Sequence, residues 1–169
     1  MGEQTLNESA KKPSILKRLA FVALGMPAII LIGIQFVPVD RSNPPVTQVV
    51  DAPPEVMTIL RRACFDCHSN ETVWPWYSKV APISWLVADD VHEAREHFNF
   101  STWDEYDAED RADILEEVWD EVEEGHMPLP NYLRLHPEAV LDGADLAALK
   151  AWTGGGGSNR DHDDEGHHH

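Results

Sequence analysis

One long apolar run opens the chain, and short apolar stripes at helical spacing follow it. Leu19 to Val39 reads LAFVALGMPAIILIGIQFVPV, 21 residues without a charge. At about 1.5 Å per residue such a helix crosses a hydrocarbon core of about 30 Å. Pro27 and Gly33 inside it are tolerable in a membrane helix. A buried core helix would show a polar face, and this run has none. A cleaved signal peptide would be shorter and followed by a small-x-small site, which is missing. Residues 14–39 are therefore expected to be a transmembrane anchor behind a polar, disordered N-terminus at 1–13.

The stripes beyond it predict helices. Residues 40–54, DRSNPPVTQVVDAPP, read as an extended Pro-rich tether. Pro53 and Pro54 can start a short helix over 55–63. Residues 69–81 hold Trp74-Pro75-Trp76-Tyr77 and read as an irregular aromatic loop. Ile83, Leu86, Val87, Val91 and Ala94 recur at helical spacing over 83–98, with His92, Glu93, Arg95 and Glu96 on the wet side. Ile114, Leu115, Val118 and Val122 mark a helix over 107–124, which Gly125 stops. Three prolines keep 126–137 irregular. Leu146, Leu149 and Trp152 share one face of a last helix over 142–152. No alternating strand pattern and no internal repeat is present. The fold class is all-α: an anchor, then one small helical domain over 55–153. The tail at 154–169, GGGGSNRDHDDEGHHH, reads as flexible.

Charge narrows the partners. The net charge is −17. Lys11, Lys12, Lys17 and Arg18 precede the apolar run, and the positive-inside rule puts the N-terminus in the cytoplasm. The domain then lies on the periplasmic or outer face of a bacterial cytoplasmic membrane. So acidic a chain is not a nucleic-acid binder, because phosphates need Lys and Arg. It suits a basic protein partner.

The only two cysteines stand three residues apart in Cys64-Phe65-Asp66-Cys67-His68. Three chemistries fit such a pair. A redox dithiol wants a strand-to-helix context of thioredoxin type, and no strand precedes it. Structural zinc wants four ligands, and there is one pair. Covalent haem attachment uses two thiols on one turn to bond the two vinyl groups of one porphyrin, with the following histidine as axial ligand. That third chemistry gives His68 a role, which a simple disulfide would not.

A sixth ligand would come from Met127 or from His92, His97, His126 or His136. Met57 lies in the helix that delivers Cys64. Met127 stands in Gly125-His126-Met127-Pro128, where Pro128 restricts its backbone. His126 is its nearest competitor, and two neighbours cannot readily point at one iron. Trp76, Tyr77 and Trp85 are expected to pack on the haem, although aromatic rings also simply fill cores.

Further residues carry a resemblance. They are Pro44-Pro45, Cys64, Cys67, His68-Ser69, Thr72, Pro75-Trp76-Tyr77, Pro82, Ser84-Trp85, Val91, Arg95, Asn99-Phe100-Ser101 and Trp103. Gly125-x-Met127-Pro128, Tyr132, His136-Pro137 and Trp152 complete the set. In that order they resemble the haem-binding domain family of small bacterial membrane-anchored cytochromes, over roughly residues 35–153. Ala94 departs from the pattern, where glycine is expected. The resemblance implies a helical cytochrome c-like fold around one covalent haem c. It implies Cys64 and Cys67 as thioether anchors, His68 as proximal ligand and Met127 as distal ligand. The function expected is electron transfer rather than enzymatic catalysis, with a redox protein or a respiratory membrane complex as partner. The alternatives are a haem enzyme or gas sensor with an open sixth position, and a haem subunit of a larger membrane complex.

Overall fold

A computed structural model describes residues 15–155. The expected disorder at 1–13 and most of the tail lie outside them. Seven α-helices and four short 3-10 turns make up the described chain, with one isolated parallel bridge, Gln48 to Thr102, and no strand. The helices are α1 (Ile15–Gly33), α2 (Pro54–Ala63), α3 (Phe65–His68), α4 (Ile83–His97), α5 (Ala108–Glu123), α6 (Pro130–Leu133) and α7 (Gly143–Thr153). The fold is all-α.

α1 corrects an expectation. Among the described residues no helix is long and apolar enough to cross a membrane. Lys17 and Arg18 fall within the first four of the 19 residues of α1, leaving fifteen. At about 1.5 Å each these span about 22 Å, short of a core of about 30 Å. At Gly33 the α-helix gives way to a 3-10 turn, Ile34–Phe36. The Gln35 side-chain amide then exchanges two hydrogen bonds of 3.0 Å with the backbone of Ala81. The single-pass anchor at 14–39, and the localisation drawn from it, are overturned.

The Pro-rich stretch after it is extended and packed. Thr47 and Gln48 N–H donate to the Ser101 carbonyl, Val50 N–H donates to Phe100, and Trp103 N–H returns to Gln48. Val50 is buried. Pro54 then stands at the start of α2, where its missing N–H costs nothing.

The core joins Val56, Ile59 and Leu60 of α2 to Ile114, Val118, Trp119 and Val122 of α5 and Leu149 of α7. Val50, Phe65, Phe98, Phe100 and Trp103 complete it. α5 and α7 each begin with a capping box, on Asp107 and Asp142. α4 turns a different face inward than its apolar stripe suggested. Ser84, Ala88 and Val91 are buried, whereas Ile83 and Leu86 are exposed. The small side chains let α4 lie close to α3 and to the Trp76–Lys79 turn. Pro130 starts the one-turn α6 inside a stretch expected to be irregular.

Candidate functional site

The cysteine pair is presented by one turn of helix. Cys64 N–H donates to the Leu60 carbonyl, so α2 runs up to it. The Cys64 carbonyl then accepts from both Cys67 and His68 N–H, closing α3. A buried polar network holds this turn in place. Ser69 Oγ donates to the Phe65 carbonyl at 2.6 Å and Thr72 Oγ1 to the Asp66 carbonyl at 2.8 Å. Val73 N–H donates to Asp66 Oδ1 at 3.0 Å. Asn99 and Ser101, just past α4, bond to Asn70, and Phe100 N–H donates to the His68 carbonyl at 2.8 Å.

Arg95 is the hub of that network. Its guanidinium reaches the Ser69 carbonyl, the Ser42 carbonyl, Asn43 Oδ1 and Thr72 Oγ1, all within 3.0 Å. It is half-buried rather than on a wet face. A fork of fixed donors suits four separate acceptors, which a lysine would not satisfy.

Beside the turn lies a cavity of about 550 Å³. Cys64, Cys67 and His68 line it from α3 and its entry, and Phe98 and Phe100 from the segment after α4. Val118 and Val122 line it from α5, and Met127, Pro128, Leu129 and Tyr132 from the segment that follows. Asp90, Glu93 and His97 of α4 and Glu117 and Glu121 of α5 are the charged or titratable groups of its lining, besides the cysteines, His68 and Tyr132. Its volume is within the range of small-ligand and cofactor sites.

His68 is oriented within that cavity. Its ring stacks on Phe98, with centroids 4.1 Å apart and planes 12° apart. Its Nδ1 faces the Phe98 carbonyl at a long 3.4 Å. A carbonyl only accepts, so Nδ1 carries the proton and Nε2 keeps its lone pair. Burial pushes the imidazole down to about 4, the Phe98 carbonyl opposing, so it is neutral at pH 7. Both cysteines are free thiols. Burial pushes each up to about 12, with Cys67 adding to the effect on Cys64 and Asp66 to that on Cys67. Reactive redox thiols are shifted the other way.

The other sequence candidates separate. Met127 is half-buried and lines the cavity, and its N–H and that of His126 both donate to the Glu121 carbonyl. Gly125, at φ +76°, ends α5 and turns the chain there. The His126 ring is exposed and faces Glu121 and Glu124 at 3.4 and 3.3 Å. His97 reaches Glu117 at 2.6 Å, and His92 reaches the Asp40 carbonyl at 3.4 Å. Trp76, Tyr77 and Trp85 are not among the lining residues. Trp76 is 76% exposed, Trp85 lies at the surface, and Tyr77 bonds to His136. The rings that do line the cavity are Phe98, Phe100 and Tyr132. The signal that could have found the two phenylalanines is their place in Phe98-Asn99-Phe100, directly after a helix that packs on the cysteine turn.

No group of three or more His, Cys, Asp or Glu converges as a metal site among the described residues. A single thiol pair without such a group leaves a zinc knuckle without its remaining ligands. Against known proteins, a family model described as a haem-binding domain matches residues 29–154. No curated protein and no solved structure matches the chain.

Proposed function

The chain belongs to the haem-binding domain family, and from that premise we propose that it is a monohaem c-type cytochrome that carries electrons. One observation carries the reading. Two thiols on one helical turn, a neutral imidazole with a free Nε2 and a thioether all line one cavity. When bound there, haem supplies a one-electron iron couple.

The chain's own residues do the rest. Cys64 and Cys67 are protonated, reduced thiols, the form that adds across a vinyl group to give a thioether. His68 would hold the iron of that haem through Nε2, its ring set by the Nδ1–H and by the Phe98 ring. A carbonyl behind an imidazole fixes the tautomer and the ring angle of a metal ligand. Met127 would supply a second, weak neutral donor to the iron, which would raise the reduction potential relative to a second histidine. Phe98, Phe100, Val118 and Val122 would keep water from a haem held in the cavity, which acts in the same direction. Asp90, Glu93, Glu117 and Glu121 give the lining negative charge suited to a basic redox partner.

The test is the absorption spectrum of protein made in cells that attach haem c. We expect a covalently bound, low-spin haem whose ferric form shows the weak far-red band of a methionine–iron bond. Met127→Ala abolishes that band and His126→Ala keeps it. A high-spin ferric spectrum in the wild type would instead mean an open sixth position and no electron carrier of this kind.

A further inference from the structure

The segment that carries Met127 is fastened at its far end. α6 follows it, and Tyr132 on α6 lines the same cavity. The Tyr132 hydroxyl donates to Asp66 Oδ2 at 2.9 Å. Asp66 stands between the two cysteines, and its other oxygen accepts Val73 N–H. That bond therefore ties two stretches 66 residues apart. The Tyr132 ring also stacks on His136, with centroids 4.1 Å and planes 9° apart. His136 Nδ1 meets Glu138 at 3.0 Å and its Nε2 meets the Tyr77 hydroxyl at 2.7 Å. A carboxylate accepts, so Nδ1 donates, and Nε2 is left to pair with the Tyr77 hydroxyl. Burial, then the bond to Asp66, pushes the Tyr132 phenol far above its ordinary value, so it remains a donor.

We propose that Tyr132 is a positioning residue whose hydrogen bond to Asp66, backed by the Tyr77–His136 pair, latches residues 126–136 onto the cysteine turn and holds Met127 at the cavity. The functional half of this rests on Met127 as the iron ligand. With the latch closed, Met127 stays at the cavity, where it would hold a bound haem. With it open, the segment lifts and leaves room for a small neutral nitrogen base. Asp66 also ties the latch to the turn that bears His68, so both residues that would ligate the iron hang from one short stretch.

The test uses the holoprotein, with imidazole as probe. Tyr132→Phe keeps the ring and its stacking but removes the bond to a carboxylate, a loss worth roughly tenfold or more in the opening equilibrium. Amide exchange across 126–136 is expected to rise about tenfold, and imidazole to bind the ferric iron about tenfold more tightly. Tyr77→Phe moves both readouts in the same direction by less. Tyr106→Phe is the control, because it also loses a half-buried hydroxyl bond, to Asn99 N–H, away from residues 126–136. It leaves exchange at 126–136 at its wild-type value. Unchanged exchange at 126–136 in both Tyr132→Phe and Tyr77→Phe overturns the latch. So does an equal effect in Tyr106→Phe. A wild type without the far-red band overturns the ligand reading instead, and exchange on the same samples still decides the latch.

Discussion

Lowering the pH from 7 to 4.5 adds a proton to His68 in the unfolded chain but not in the folded one. Burial holds the folded imidazole at about 4, against an ordinary value of about 6.5. The unfolded state then binds more protons, so stability falls as pH falls. The contribution is intact above about 7, is lost progressively from about 6.5 down to about 4, and is worth about 3 kcal/mol in full. Urea unfolding of the haem-free protein is expected to show that slope, and His68→Gln to flatten it. At this scale the sequence was informative where a motif names its own chemistry. Cys64, Cys67 and His68 adjoin in sequence, and Met127 stands out as a methionine in a proline-bounded loop. Trp76, Tyr77 and Trp85 did not give away their positions, because ring character does not say which way a side chain faces. Arg95 was misread as a wet-side charge for a related reason. Its four acceptors are mostly backbone carbonyls and small polar groups, which leave no pattern of apolar spacing.

The elements end where their local chemistry ends them. α5 begins at a capping box and stops at a glycine in the left-handed region. Asp107→Ala is expected to destabilise the protein by about 1 kcal/mol, the usual worth of an N-cap. Gly125→Ala should cost about 1 to 2 kcal/mol, because φ is +76° there. The two differ in a useful way. Asp107 sits at the far end of α5, so its loss leaves the far-red band alone. Gly125 sets the exit toward Met127, so its loss weakens the band as well. Urea midpoints and ferric spectra of the two variants check this. Capping residues and helical periodicity made α2, α5 and α7 readable to within a residue or two. α4 was readable in extent but not in facing, because Ser84 and Ala88 are buried for their smallness rather than their hydrophobicity. α1 misled for another reason. An uncharged run in sequence need not be a single helix, and here the helix stops at Gly33.

The molecule as a whole carries −17, and Asp90, Glu93, Glu117 and Glu121 place part of that charge in the cavity lining. If a basic protein exchanges electrons there, its association rate should fall roughly tenfold between low and physiological salt. Stopped-flow rates against ionic strength measure this, and a flat profile would exclude electrostatic steering. The charge balance was plain from composition, but its gathering at the cavity was not, since α4 and α5 come together only in the fold. The pairing of residues 47–50 with 100–103 has a consequence in time. A chain made from its N-terminus exposes 64–68 well before Phe98, Phe100, α5 or Met127 exist. Throughout that interval the cysteine turn has no cavity around it, and a bulky group can approach both sulfurs from open solvent. Once Ser101 and Phe100 accept the amides of 47, 48 and 50, Phe98 and Phe100 stand beside the turn and the approach narrows to the cavity. Any modification of Cys64 and Cys67 therefore has its widest access early, before the later half of the chain closes around the turn.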